Sequence, residues 1–449
     1  MKKAMAAFVA AMCVAGVSAG DIYVSLAGGK NKNAGTKEAP LKNLWKALEK
    51  AQHGDTIHVA EGVYPGKMKQ NWFKIDKAVS IIGGYAPDFA TRDPLKHRTL
   101  FQAQNENNSK KGSGRGVFHI EFPQKDTPTD VNMVFDGLIF DEGQANSYHA
   151  FKGKPDGVET GMWLQGPAKN PADKNPSPDR YMIYTATQNR ATGKIAVKNC
   201  AFVNGGNAAL QLTWYAGKVE VENCVFCNNR MVGANVFCSQ PVPENGPNNP
   251  KPGWKPAVEW EFENNTVLFT WSTKNDLASM GYGVRNNTGV AADISDNVIG
   301  LNVLAGYDNT KGRSKEMTTK LDGNVFFLNR ESDVQMTVSP SIAKVRVDEF
   351  EDLEGTDGIE SIEDNVDLKD PKVFEGRLDA KFLNAFLTMK YSETAKLDEG
   401  KLNALRQAVG LPMQGTIKTQ CDMFCNRYPL EMALKLFGAM PEKGAQAIK

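Results

Sequence analysis

A six-residue phrase returns along this chain and limits its fold more than any other feature. It reads Asn-Cys-Ala-Phe-Val-Asn from Asn199 to Asn204 and Asn-Cys-Val-Phe-Cys-Asn from Asn223 to Asn228. It comes back as Asn-Val-Ile-Gly-Leu-Asn from Asn297 to Asn302 and as Asn-Val-Phe-Phe-Leu-Asn from Asn324 to Asn329. Looser copies run from Asn265 to Thr270 and from Asp136 to Asp141. Each copy is a short apolar strand entered through Asn or Asp, whose side chain bonds nearby backbone and tolerates unusual dihedrals. The closest copies start 24 residues apart, the length of one coil with three strands. Short strands that cannot bury their faces alone stack on one another, so the chain is expected to form a solenoid.

The 449 residues are too many for one ordinary compact core and suit a solenoid with end pieces. A net charge of +1 argues against nucleic acid, which calls for a basic stripe. Residues 1–19 read as an export signal, to be removed before Gly20. Lys2 and Lys3 lead an apolar stretch from Ala4 to Val17, and Val17-Ser18-Ala19 offers small residues for cleavage. No later segment is apolar and long enough to span a membrane. The expected location is therefore outside the cytoplasm: periplasm, cell surface or medium.

Six cysteines follow the leader: Cys200, Cys224, Cys227, Cys238, Cys421 and Cys425. An oxidising compartment permits bridges among them, and their connectivity is open. Cys200 and Cys224 fill the same slot of consecutive repeats and should stack. Cys421 and Cys425 are near enough in sequence to pair locally. Only Cys224-Val225-Phe226-Cys227 approaches zinc-ligand spacing, and it lacks supporting ligands, so buried thiols or bridges are expected instead.

The opening has its own pattern. Asp21 to Ser25 reads as a strand, Gly28 to Thr36 as a turn-rich loop, and residues 41–51 as an amphipathic helix through Leu41, Leu44, Ala47, Leu48 and Ala51. Gly54-Asp55-Thr56-Ile57 then turns into a second strand, closed by Gly62-Val63-Tyr64. Ser80-Ile81-Ile82-Gly83-Gly84-Tyr85 and Arg92-Asp93-Pro94 follow. These residues, with Asn33-Ala34-Gly35-Thr36 and Pro40, resemble the start of exported bacterial proteins of the pectin-lyase-like superfamily. The resemblance covers roughly residues 21–345. It implies an all-β fold: a right-handed parallel β-helix whose N-terminal helix shields the open end of the core. On this basis residues 20–75 form the cap and 76–345 the β-helix, with loop insertions at 152–180 and 239–256. Residues 346–449 form an acidic linker and a small helical C-terminal region. Residues 348–370 hold eleven acidic side chains. Apolar spacing then suggests helices around Phe382 to Leu387, Leu402 to Val409, and Pro429 to Phe437.

The repeats carry more apolar residues than one inward face needs. Val203, Phe269, Leu301 and Leu328 fall in one slot of the phrase, and Val225, Val267, Ile299 and Phe326 in another. Both sets cannot point inward. An outer face is expected to be covered by a loop, the C-terminal region or a partner, with cover from within the chain as the preferred expectation.

Chemistry is harder to read. The resemblance implies acidic polysaccharides, cleaved by lysis with calcium or a basic side chain, or by hydrolysis with paired carboxylates. Hydrolase phrases of the polygalacturonase type are absent, as is an Asp-x-Asp calcium cluster. Asp276, Arg285 and Asp293 remain as a candidate catalytic set that could converge on one face, against the plainer alternative of solvated loop charges. Trp163 and Trp254 in the insertions, and Trp214 and Trp271 after repeat strands, are candidate sugar-stacking rings, against the alternative of core residues. No histidine pair has metal spacing, and structural roles are expected for His58 and His119. No metal site is assigned. Calcium is compatible with the acidic run, but no motif supports it. Two functions compete: a secreted or cell-surface protein that binds or processes polysaccharide, lyase-like if catalytic, and a non-catalytic structural or adhesive envelope component. Partners would be a polysaccharide or an envelope component, and self-association is open.

Overall fold

The computed structural model describes residues 19–67, 72–102, 116–123, 130–143, 181–241, 253–271, 280–310, 317–338, 341–380, 382–383, 399–410 and 428–448. Its strands form three stacked sheets of ten, nine and nine strands. Each strand pairs in parallel with its counterpart one coil away, apart from the final antiparallel strand Ser341–Val345 in the third sheet. This is the solenoid expected from the repeats, in the form of the parallel β-helix that the resemblance implies. The chain passes from first sheet to second to third and back, as in Ala216–Glu222, Val225–Cys227 and Val232–Cys238.

The N-terminal helix is shorter than its apolar pattern. It runs Leu44–Lys50 and buries Leu44, Ala47 and Leu48 over the first coil. The preceding loop packs tightly: a Cβ on Gly29 would stand 2.2 Å from the Leu41 carbonyl oxygen and 2.4 Å from that of Ser25. Gly29→Ala is expected to cost roughly 1–3 kcal/mol by forcing this loop off the cap, read as a lower denaturation midpoint.

Inside the coil, rings stack along the axis. Phe101, Phe140, Phe202 and Phe226 follow one another at centroid distances of 5.0, 5.2 and 4.8 Å. The corner between first and second sheets is turned by one left-handed residue per coil: Gly137, Asn199, Asn223, Asn264, Asp296 and Gly323. Gly and Asn or Asp pay least there. The following position points inward and holds Cys200, Cys224, Asn265, Asn297 and Asn324. In this column each residue's backbone N–H donates to the next side chain: Cys224 N to Asn265 Oδ1 (2.9 Å), Asn265 N to Asn297 Oδ1 (2.8 Å) and Asn297 N to Asn324 Oδ1 (3.1 Å). Cys200 N donates to Cys224 Sγ at 3.4 Å, so the two thiols do stack in consecutive coils.

This column corrects the alignment of the phrase. Val225 pairs with Thr266, and Phe226 with Val267. The first Asn of the copies at 199 and 223 is the corner residue, while the first Asn of the copies at 265, 297 and 324 is the inward ladder residue one place later. Val203 therefore stacks on Cys227 and Leu268, not on Phe269. Phe269, Leu301 and Leu328 occupy left-handed positions (φ 60°, 55° and 48°) at the second corner, level with Asn204 and Asn228. Such bulky residues pay about 1–2 kcal/mol each for that conformation.

What offsets that cost is the C-terminal region. Phe226, Val267, Ile299 and Phe326 lie in the inner core. Val203, Val225, Cys227, Leu268, Phe269 and Leu301 face out and form a second core with Phe374, Phe382, Leu402, Leu405, Tyr428 and Phe437. The excess apolar face is thus covered by the chain itself. Helix Glu399–Ala408 and the short helix Leu430–Leu434 belong to this cover, and Gly410 follows the former in a left-handed turn. The acidic stretch adds last rungs to the first two sheets at Ile359–Ser361 and Val366–Asp367. Cys421 and Cys425 lie outside the described residues.

Candidate functional site

With the second sheet covered, two outer faces remain. That of the first sheet is a self-paired charge ladder. Ala196, Glu220, Glu261, Asp293 and Lys320 occupy one register row. Lys194 lies 2.6 Å from Glu220, and Lys218 lies 2.6 Å from Glu261. The acidic surplus is felt by Glu263, whose carboxyl is raised by burial and then by Glu222, Asp296, Glu261 and Asp293.

The third sheet is different. Alternation turns every second residue of each strand outward, and the register aligns one such residue per strand across the coils. The row reads Lys74, His119, Tyr184, Gln211, Asn235, Arg285, Asp308, Gln335 and Lys344. Arg285 Nε stands 2.8 Å from Asp308 Oδ2, as an ion pair rather than an aligned hydrogen bond, and its guanidinium lies 5.0 Å from the centre of the Tyr282 ring. Burial, and then the Asp308 charge, push the Tyr282 phenol up to about 12. Asn235 Oδ1 and Gln335 Oε1 are buried and accept no hydrogen bond. Buried polar acceptors left unmatched beside an ion pair and an aromatic ring are costly to fold.

At its N-terminal end the row opens into a cleft of about 500 Å³ lined by Lys74, His119, Glu121, Tyr184, Gln188 and Asn189, among others. Glu121 directly follows the strand Gly116–Ile120 that carries His119, and His119 Nε2 stands 3.5 Å from Glu121 Oε2. The His119 and Tyr184 rings are 5.3 Å apart, and Tyr184 stacks on Tyr181 at 4.9 Å. In a second hollow near the N-terminal cap, Arg98 binds Glu431 and Glu61 binds His97.

The sequence candidates fare unevenly. Arg285 and Asp293 do not converge, because one lies on the third sheet and the other on the first. Asp276 and Trp163 lie outside the described residues. Trp214 and Trp271 are fully buried and cannot stack on a sugar from solvent. Trp214 points into the coil, and Trp271 belongs to the second core beneath the C-terminal cover. Trp254 is half-buried ahead of the strand Val258–Glu263. His119, set aside as structural on sequence grounds, is the residue that reaches the cleft. Its spacing from Glu121 was the available signal. Among the described residues no group of three or more His, Cys, Asp or Glu could hold a metal ion.

The fold and this face define a parallel β-helix protein with one polar outer face and one sealed apolar face. A family model described as a protein of unknown function, DUF1565, matches residues 27–90. No curated protein matches the chain. Among solved structures it is similar to the GH136 lacto-N-biosidase from Eubacterium ramulus, at 14% identity and a TM-score of 0.39, covering 70% of this chain and 57% of that one. The chain thus spans little more than half that protein's length. It is also similar to pectate lyase Pel9A, at 14% identity and a TM-score of 0.36, covering 74% of this chain and 79% of that one. A rhamnogalacturonan lyase follows at 12% identity and a TM-score of 0.27, with 72% and 77% covered.

Proposed function

We propose that the protein binds and processes a polysaccharide laid across the strands on the outer face of its third sheet, outside the cytoplasm. The observation that carries this is the register row from Lys74 to Lys344. At successive strand spacings of about 4.8 Å it carries an ammonium, an imidazole, a phenol, amides and an ion pair; Lys74, His119, Gln211 and Lys344 reach the surface, and Tyr184, Asn235, Asp308 and Gln335 are buried between them. A chain of sugars presents hydroxyls and ring faces at comparable intervals, and a rigid solenoid holds its partners without reorganisation. The envelope-component alternative drew on the missing catalytic phrases and on the excess apolar surface, and the C-terminal region occupies that surface.

Affinity electrophoresis of the full chain against acidic and neutral polysaccharides tests the proposal. Retardation by at least one of them is expected. Gln211→Leu, in the middle of the row, should weaken it roughly tenfold, the worth of a hydrogen bond or two. Lys218→Ala, on the first sheet, should leave it unchanged. Equal loss in both variants would place the binding elsewhere.

A further inference from the structure

We infer that the protein associates head-to-tail, with the N-terminal cap of one copy seated on the C-terminal end of the next. The partner is a second copy of this chain, and the association is separate from the saccharide face. Its ground is one register column on the outer side of the second sheet. Val63 pairs with Leu100, Leu100 with Ile139, and Ile139 with Ala201. The column continues through Val225, Thr266, Val298 and Val325 and ends at Val366. Its middle lies under the C-terminal cover. Its two ends do not: Val63 is 45% exposed and Val366 is 50% exposed. With Ile342 these are the exposed large hydrophobic side chains among the described residues. Ile342 stands in Ser341–Val345, the last strand of the third sheet, at the same end as Val366. A column open at both ends is completed when a second copy continues it, Val366 of one meeting Val63 of the next. The edge strands Gly62–Val63 and Val366–Asp367 are two residues long each, so side chains rather than backbone pairing must carry the contact.

Charge selects the occupant and its direction. The N-terminal end face consists of the loop that bonds to the first strand and of the cap helix Leu44–Lys50. Residues 30–50 carry Lys30, Lys32, Lys37, Lys42, Lys46 and Lys50 against Glu38 and Glu49. Glu49 is already held by Lys46 at 2.9 Å and by Lys67 at 3.0 Å. Lys30, Lys32 and Lys42 are exposed, and Lys96 and Arg98 line the hollow beside Gly62. The opposite end is closed by the 3-10 helix Val347–Leu353, which buries Phe350 and Leu353 against the last coil. Its Asp348, Glu349, Glu351 and Asp352 are exposed. Of the eleven acids in residues 348–370, ten are exposed, and Glu363 and Asp364 lie just before Val366. A basic end attracts an acidic one and repels its own kind, so a two-fold pairing of like ends is disfavoured and head-to-tail stacking favoured. Such a contact between the two ends of a rod does not close on itself, so copies add in a row.

Sedimentation of the full chain over a range of concentrations tests this. It is run at an ionic strength of about 0.01 M, where charges act over about 30 Å, and at about 1 M, where they act over about 3 Å. The weight-average mass should climb past that of a dimer at low salt and fall back toward the monomer at high salt. Two charge-reversed forms make the test directional. One carries Lys30→Glu, Lys32→Glu and Lys42→Glu, so that acids outnumber lysines at the cap. The other carries Asp348→Lys, Glu351→Lys, Asp352→Lys, Glu354→Lys, Glu360→Lys and Glu363→Lys, so that lysines outnumber acids at the far end. Each form has two like ends and should remain a monomer at low salt, while an equal mixture of the two should associate again. The leader is common to all forms, so a difference among them reports the ends. Melting curves identify a reversed form that has lost its fold. In its place Val63→Asp sets a carboxylate against the acidic end and should move the rise in mass to roughly tenfold higher concentration. A monomer at every concentration and both salts would overturn the inference, as would a mass that stops at two copies. So would a mixture of folded reversed forms that stays monomeric, or a reversed form that associates alone as well as the unaltered chain.

Discussion

Replacing Asn297 with Ala is expected to lower the stability of the coil by roughly 2–5 kcal/mol, because several buried groups lose their partner at once. The Asn297 side chain accepts the backbone N–H of Asn265 at 2.8 Å and donates to the Phe262 carbonyl at 2.8 Å and to Asn324 Oδ1 at 3.0 Å. Both Asn265 and Asn297 are fully buried, so water cannot stand in. The cost should be local: hydrogen exchange should accelerate first in the strand Val298–Gly300 that follows Asn297 and in its neighbour Thr266–Leu268. Asn264→Ala, one residue from the ladder at the outer corner, should cost only about 1 kcal/mol, the penalty of its left-handed backbone. Equal effects would mean that the inward column does not hold the coils in register. Urea midpoints of the two variants make the comparison.

The second large effect concerns the C-terminal cover. Tyr428 is fully buried, with its ring 5.5 Å from Phe269 and 4.8 Å from Phe382. Its backbone N–H donates to Asn204 Oδ1 at 2.9 Å, and Asn204 Nδ2 donates back to its carbonyl at 3.0 Å. Tyr428→Ala should cost about 3–5 kcal/mol and loosen the cover before the coil. Cys227 reports on this directly. It lies in the second core with Tyr428, and burial pushes its thiol well up. In the variant its labelling by a thiol reagent should speed up markedly, while Cys200 and Cys224, inside the coil, stay protected. If Cys227 remained as slow as Cys200, the cover would not depend on this anchor.

Much of this was written in the sequence. Short apolar strands between Asn residues meant stacked coils, and two apolar slots in one phrase meant a covered face. The slip of one residue between copies has a physical origin. Asn serves both the outer corner, for its tolerance of positive φ, and the inner ladder, for its paired donor and acceptor. The string Asn-x-x-x-x-Asn can therefore be laid on either position. Cysteines at 200 and 224 disguise the ladder further by filling its inward place with thiols. The site was less legible. His119 and Glu121 show their closeness by spacing alone, but Lys74 and Tyr184 join them only through coil stacking, across long stretches of intervening chain. Of the tryptophans, Trp214 falls in the core and Trp271 under the C-terminal cover, the alternative to sugar stacking that the sequence left open.

The central claim is that the outer face of the third sheet receives a saccharide chain. The most direct measurement is hydrogen–deuterium exchange of the full protein with and without saturating oligosaccharide cut from the polysaccharide it binds best. Slower exchange is predicted in Gly116–Ile120, Tyr181–Thr185 and Leu210–Trp214, the strands that carry His119, Tyr184 and Gln211. Protection confined to Thr192–Lys198 and Ala216–Glu222, on the charged face of the first sheet, would contradict it.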